Sequence, residues 1–316
     1  MAYSAIVFAL MALQLGLGDR WWWLSFANNL TLYWFAPLVV LLPLALVALG
    51  ARPPTLALVV VTGLFVSSFG ARFVLPRVPA ASGPLLTVAT YNVFFANDAD
   101  DAVLATLDDA AADVVAFQEL GRGLAPRLDA RLADRYPYRF LEGENALLSR
   151  WPATEVASPL ADDVPWGRDS PPRVYRLVVD GRVLTLVDAH FNSSVPSGNL
   201  GETIYMADVR LRQIEAVRAF GVAERAAGRP VVLAADLNTT DRNGAWRTLT
   251  TVFEDAWHVA GTGLGHTWRH WGPLTLPIAR IDYVLYTPPL TATGARLGRA
   301  DGVSDHRPVV VTLGWR

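Results

Sequence analysis

Hydrophobic and polar positions alternate in two different ways along this chain. Residues 1–18, 21–51 and 53–71 carry no Asp, Glu, Lys or Arg at all. A helix that crosses a bilayer needs about 20 mainly apolar residues, because the hydrocarbon core is about 30 Å thick and each helical residue rises about 1.5 Å. The run at 30–50 meets this requirement, while 55–70 and 3–18 are shorter but end near Arg and Trp residues suited to the membrane interface. The pattern therefore predicts three spans, with residues 1–77 as a membrane anchor. A cleaved signal peptide is a poorer reading of the first run, which lacks a basic start and a small-residue cleavage site and is followed by two further apolar runs. The tract DRWWW at 19–23 reads as an aromatic belt at the bilayer surface.

After residue 77 the rhythm changes. Residues 78–84, VPAASGP, are small and proline-containing, as a short linker would be. Apolar runs of strand length follow at 85–95, 113–120, 145–150, 182–191, 230–238, 280–287 and 307–315, and helical patterns fall at 101–112, 123–134 and 202–227. This alternation predicts one α/β domain over 85–316 with largely buried sheets.

Composition narrows the chemistry. Charged residues make up only 18% of the chain, below the roughly 25% of ordinary soluble domains, because the first 80 residues are so apolar. Cysteine is absent, which excludes disulfides, thiolate metal sites and cysteine nucleophiles. Every basic residue is arginine, so Schiff-base chemistry and a lysine-bearing phosphate loop are excluded as well. Within 85–316, 23 Arg face 28 Asp and Glu, leaving no basic surplus to grip a polyanion and making nucleic acid the less favoured partner.

Polar residues fall where the apolar runs stop: Asn92, Glu119, His190, Asp236 with Asn238, Asp282, and Asp305 with His306. Ligands of sheet proteins gather at strand ends, where separate segments converge on one crevice. Each residue alone has a local explanation, such as a turn cap at Asn92, a helix cap at Glu119 or an Asx-turn from Asp236. Their joint occurrence in this order is what points to a site.

The strings ATYNV, AFQEL, DAHFN, AADLNT, RIDYVL and SDHRPV resemble, in order, the motifs of the endonuclease/exonuclease/phosphatase superfamily, which includes pancreatic deoxyribonuclease and the sphingomyelinases. The resemblance covers about residues 85–315 and implies a four-layer α/β/β/α sandwich of two packed sheets. It implies that Asn92 reaches phosphate and metal, that Glu119 binds the metal and that His190 contacts the phosphate. Asp236 would orient or deprotonate water, Asn238 would face the phosphate, Asp282 would orient His306, and Asp305 would sit by the metal. A Glu supporting His190 is expected earlier in the chain, with Glu142 and Glu144 both open.

Carboxylates and amides without soft donors suit a hard cation, Mg²⁺ or Mn²⁺. His306 paired to Asp282 is favoured in its charged form and can stabilise a phosphorane-like transition state, while Asp236 is the candidate base for in-line attack by water, without a phospho-enzyme. Arg173 or Arg176, and Arg210 with Arg212, are candidates to clamp a second phosphate, Arg173 first among them, against the ordinary role of solvated surface charge. His266 and His270 in HTWRHW lack the Glu of a metalloprotease helix, and a rim role beside Trp268 and Trp271 competes with plain packing. The loop NSSVPSGNLGETIY, 192–205, matches no nuclease insertion.

An amino-terminal anchor before such a domain is similar to the bacterial membrane phosphoesterases related to the teicoplanin-resistance protein. That branch implies a multi-pass protein of the bacterial inner membrane with an extracytoplasmic catalytic domain, acting on a lipid-linked phosphate such as a polyprenyl pyrophosphate, with no obligate protein partner. The positive-inside count leans weakly the other way, since Arg20, Arg72 and Arg77 lie on one side and Arg52 on the other. The alternative function is a membrane-tethered Mg²⁺-dependent nuclease or another phosphodiesterase.

Overall fold

The computed structural model describes residues 1–76, 78–160, 164–166, 170–193, 200–269 and 276–316, except for the side chains of 200–207. Four apolar helices come first: α1 (Ala2–Leu17), α2 (Trp22–Asn29), α3 (Leu38–Leu49) and α4 (Pro53–Phe69). A 3₁₀ turn at Thr31–Phe35 leads into α3, and another at Gly70–Phe73 follows α4. Two continuous helical stretches, Thr31–Leu49 and Pro53–Phe73, are long and apolar enough to cross a membrane. The first run behaves differently from the expected straight span: α1 bends by 117° into α2, so a third span exists only if that bent pair is counted as one. Polarity explains the break, since Gln14, Asp19, Ser25 and Asn28 are buried here among hydrogen-bond partners rather than facing lipid.

The remaining chain forms two six-stranded sheets. Its elements are β1 (Ser82–Asn92), α5 (Asp100–Ala110), β2 (Val114–Gln118), α6 (Ala125–Leu132), β3 (Tyr138–Phe140), β4 (Ala146–Ser149), β5 (Ala153–Val156), β6 (Arg173–Val179), β7 (Arg182–His190) and α7 (Leu200–Ala226). They continue with β8 (Val231–Asp236), α8 (Gly244–Leu249), β9 (Glu254–Asp255), α9 (Ala256–Ala260), β10 (Trp268–Arg269), β11 (Pro277–Ala279), β12 (Asp282–Tyr286), β13 (Leu290–Leu297) and β14 (Val309–Trp315). One sheet runs β13-β14-β1-β2-β4-β3 and the other β5-β6-β7-β8-β12-β9.

Both sheets are apolar on both faces, which is why their strands read as unbroken runs. Leu86 and Val88 of β1 point inward against Leu184, Leu186, Val232 and Val284 of the facing sheet. Alternate residues Ala89 and Tyr91 pack outward against Val103 and Leu107 of α5 and Leu128 of α6. On the far side Val187, Leu233 and Leu285 pack against Ile214 and Val217 of α7. This is a mixed α/β fold with two packed sheets, helix layers outside each, in keeping with a deoxyribonuclease-like sandwich.

The boundary between the apolar helices and the two-sheet part departs from the expected linker. β1 already begins at Ser82, opposite Trp315 of β14, so only the first part of 78–84 connects. More consequentially, the amino-terminal helices are bonded to the sandwich. Asn29 Oδ1 accepts from the Thr240 amide at 3.0 Å, Asn243 Nδ2 donates to Asp19 Oδ1 at 3.0 Å and to the Ser25 carbonyl at 2.9 Å, and Asp19 Oδ2 accepts from the Ala245 amide at 2.9 Å.

Candidate active site

Strand register brings the polar ends together. β1 and β2 run parallel with Asn92 opposite Gln118, β7 and β8 run parallel with His190 opposite Asp236, and antiparallel β12 starts with Asp282 opposite Asp236. A parallel pair joined by a helix carries both carboxyl ends to the same edge. The segment 304–306 precedes β14, which is antiparallel to β1, so it returns to that same edge.

Asn92 joins the two sheets: its Nδ2 donates to Glu119 Oε1 at 2.9 Å and to Asp236 Oδ2 at 3.0 Å. Its Oδ1 accepts from the Phe94 amide at 3.0 Å, so the amide nitrogen is the atom turned to the site. Asn92 is thus a strut between two carboxylates, and its Oδ1 keeps a second lone pair beyond the one engaged by the Phe94 amide. Glu119 also accepts from the Phe95 amide at 3.3 Å. Gly121 lets that loop lie close, since a Cβ there would stand 2.5 Å from the Phe95 carbonyl oxygen.

Asp236 is the hub. Its Oδ1 accepts from the Asn238 amide at 2.8 Å, which is the Asx-turn, and its Oδ2 lies 3.6 Å from His190 Nε2 and 3.8 Å from His306 Nε2. Asn238 sits in the left-handed region, as do Glu119 and Phe94. Backbone strain of this kind, which costs of order 1–3 kcal/mol per residue, tends to gather at functional sites. Asn238 Nδ2 lies 3.0 Å from His190 Nε2 and donates to the Phe191 carbonyl at 2.8 Å.

His306 Nδ1 lies 2.9 Å from Asp282 Oδ2, with both groups buried. Burial works against the imidazolium, but Asp282 and Asp236 outweigh it and push the ring's pKa up to about 10. Asp236 moves up to about 6, first through burial and then through the Asp282 charge, with both imidazoles pulling against the shift. Behind them Trp268 Nε1 donates to Asp305 Oδ2 at 2.9 Å, Ser304 Oγ donates to the Asn92 carbonyl at 2.8 Å, and Thr267 Oγ1 accepts from the Asp282 amide at 3.3 Å. Sequence reasoning missed Ser304 and Thr267 as positioning residues, because a lone hydroxyl carries no pattern.

The donors fit a hard divalent cation. Asp236, Asp282 and His306 present ligand atoms within 4.8 Å of one another, and Asp282 Oδ1 is buried without a hydrogen-bond partner. With Nδ1 engaged by Asp282, His306 Nε2 can carry a proton or bind a cation, but not both.

The arginines fall elsewhere. Arg173 pairs with Glu155 and donates to the carbonyls of Phe140, Glu142 and Asn145, bracing the β3–β4 hairpin. Arg176 pairs with Glu224, and Arg212 is exposed on α7. Arg210 is fully buried beneath the site, donating to Ser25 Oγ at 2.6 Å and to the Asn238 carbonyl at 3.1 Å. Arg173 and Arg176 are thus engaged away from the strand-end residues, while Arg210 meets them only through the Asn238 carbonyl. The backbone carbonyls of Glu144 and Glu142 accept from Leu120 and Arg173, and the carboxylates within 4.0 Å of His190 Nε2 are those of Asp236 and Glu119. His266 Nδ1 lies 3.0 Å from the Pro277 carbonyl, and His270 and Trp271 lie outside the described residues, as do positions 194–199 of the expected 192–205 loop, whose last residues, from Leu200, already belong to α7.

A sandwich of two sheets with this carboxylate, amide and imidazole edge defines a metal-assisted phosphoester hydrolase. The model of the Endonuclease/Exonuclease/phosphatase family matches residues 89–306, and the chain belongs to that family. Solved structures share the fold. An endonuclease/exonuclease/phosphatase from Bacteroides vulgatus is 21% identical with a TM-score of 0.58, covering 74% of this chain and 100% of its own. Sphingomyelinase C from Streptomyces griseocarneus is 22% identical with a TM-score of 0.53, covering 73% and 99%. The mannosyl-6-phosphatase of Bacteroides thetaiotaomicron is 19% identical with a TM-score of 0.52, covering 73% and 100%. No curated protein matches the sequence.

Proposed function

We propose that this chain is a multi-pass, membrane-anchored phosphoester hydrolase that removes phosphate from a lipid-linked substrate, a polyprenyl pyrophosphate being the type we favour, with its catalytic domain on the extracytoplasmic side of a bacterial inner membrane. The observation that carries the hydrolytic part is Asp236, held between two imidazoles and bonded through Asn92 to Glu119. The lipid part is supported by the seating of the apolar helices directly on residues 240–245, a few positions past Asp236. An enzyme so confined meets a lipid substrate at high effective concentration.

Asp236 accepts the proton of the attacking water, since a carboxyl near pKa 6 is ionised at neutral pH yet basic enough for the task. The His306 imidazolium, held by Asp282, offers positive charge to the oxygens that gain charge on phosphorus. Asn238 and His190 form the facing polar wall. We assign Mg²⁺ or Mn²⁺ to Asn92, Glu119 and Asp305, which border the Asp236, Asp282 and His306 group; the bound cation would neutralise phosphate oxygens. Water attacks in line, and no phospho-enzyme forms.

The test is release of inorganic phosphate from a polyprenyl pyrophosphate in detergent, with Mg²⁺ or with chelator. We expect metal-dependent release that falls by about 10²–10⁴ in Asp236→Asn, with one oxygen of the released phosphate drawn from ¹⁸O-labelled water. A trapped phosphorylated residue would overturn direct water attack. Cleavage of DNA without release from the lipid would replace the substrate assignment with the nuclease.

A further inference from the structure

Arg210 presents an unusual problem in charge. Its side chain is fully buried, yet it makes no ion pair among the described residues, and its Nε has no hydrogen-bond partner. Asp19 and Asp236 favour its charge from beyond contact distance, yet burial without a direct ion pair still works against it, so something must be gained by keeping it. What it does have is three oxygens: the Asn238 carbonyl at 3.1 Å, the Asn192 carbonyl at 3.4 Å and the Ser25 hydroxyl at 2.6 Å. The first two belong to the backbones that carry the site's polar wall. Asn238 itself reaches His190 Nε2, and Asn192 follows His190 by two residues and is further pinned by Gln213 at 3.1 and 2.9 Å. The third belongs to α2, outside the catalytic sandwich.

We propose that Arg210 is a positioning residue of the active site, and that α2 completes it through Ser25, so the amino-terminal helices set the placement of Asn238 and His190. The guanidinium is a planar fork that can hold two backbone oxygens at once, but its orientation is free about the long side chain unless the other end is fixed. Ser25 fixes it. Asn243 grips the Ser25 carbonyl at 2.9 Å, and Asn29 and Asp19 hold residues 240 and 245, so α2 lies against the loop at several points. Trp21 and Trp23, stacked 5.7 Å apart and exposed beside this contact, suit the membrane interface. The inference deepens the hydrolase reading and rests on it only for the reaction measured.

The experiment uses the full chain in detergent with a water-soluble probe, p-nitrophenyl phosphate, so that presentation of a lipid plays no part. Ser25→Ala is expected to lower kcat about 10-fold with KM changed less than about 3-fold, and Ser25→Thr, which keeps the hydroxyl, to restore it. Arg210→Met should be at least as damaging; should it fail to fold, Ser25→Ala still decides. An activity-independent readout is the ¹⁵N shifts of the His190 imidazole, which should move in Ser25→Ala and return in Ser25→Thr. Unchanged kcat and unchanged His190 shifts in Ser25→Ala would overturn the proposal, as would a fall in melting temperature with kcat intact. Should the wild type not hydrolyse the probe, the hydrolase reading is in question while the imidazole shifts still judge the role of Arg210.

Discussion

Three demands meet on the Asp236 carboxylate: it closes an Asx-turn through the Asn238 amide, takes the Asn92 strut, and lies between two imidazoles. In the metal-free protein a carboxyl band titrating near pH 6 is therefore expected by infrared spectroscopy, and it should be missing in Asp236→Asn. Because the His306 imidazolium pulls this pKa down, His306→Gln should move the band to higher pH, and a shift in the opposite direction would contradict the arrangement. At this scale the site was largely legible, since an ionisable side chain at the end of an apolar run is an anomaly that a sequence displays. The arginines were not. Arg173 and Arg210 sit at positions compatible with a phosphate clamp, but a long side chain can turn to whichever acceptors the fold supplies, and those were carbonyls of other segments.

Elements were readable in proportion to their length and burial. β7 and β8, apolar on both faces, stand out as runs, whereas the two-residue β9 and β10 exist only because neighbouring strands offer them partners. The long helix α7 is secured to its sheet by Glu224, which accepts from Arg229 at 2.7 and 2.9 Å, from Arg176 at 2.5 and 3.2 Å and from Thr185 at 2.6 Å. These partners, Arg229 foremost, outweigh the opposing effect of burial and hold the carboxyl down at about 2. A lowered carboxyl pKa adds stability that is complete above the ordinary value near 4.5 and is lost as pH falls through about 2. Glu224→Gln should thus cost about 2 kcal/mol at pH 7, and its difference from wild type should shrink steadily below pH 4.5 in denaturant titrations. A difference independent of pH would mean that packing, not charge, fastens α7.

For the whole molecule, the seam between the apolar helices and the sandwich is the feature with most consequence. Asp19 is a buried carboxylate that serves the catalytic domain, accepting from Asn243 and from the Ala245 amide at the start of α8, and Asn28 from its own side. Removing it strands those donors, so Asp19→Ala should destabilise the sandwich by about 2–4 kcal/mol and expose the 240–245 backbone to hydrogen exchange. If helices and sandwich were merely tethered, exchange in 240–245 would not change.

Features that depend on local patterning are written in the chain: which stretches are strongly apolar, which run as strands, and which polar side chains interrupt them, because burial leaves a periodic trace. How distant segments share partners is settled by folding alone. That includes the bend after α1, the turning of Asn92 Nδ2 toward two carboxylates, the carbonyl contacts of Arg173, and the buried guanidinium of Arg210 between Ser25 and Asn238. Hydrogen-bond partners on separate elements, from 27 to 185 positions apart in these contacts, leave no spacing to read, since their meeting is set by sheet register and helix docking.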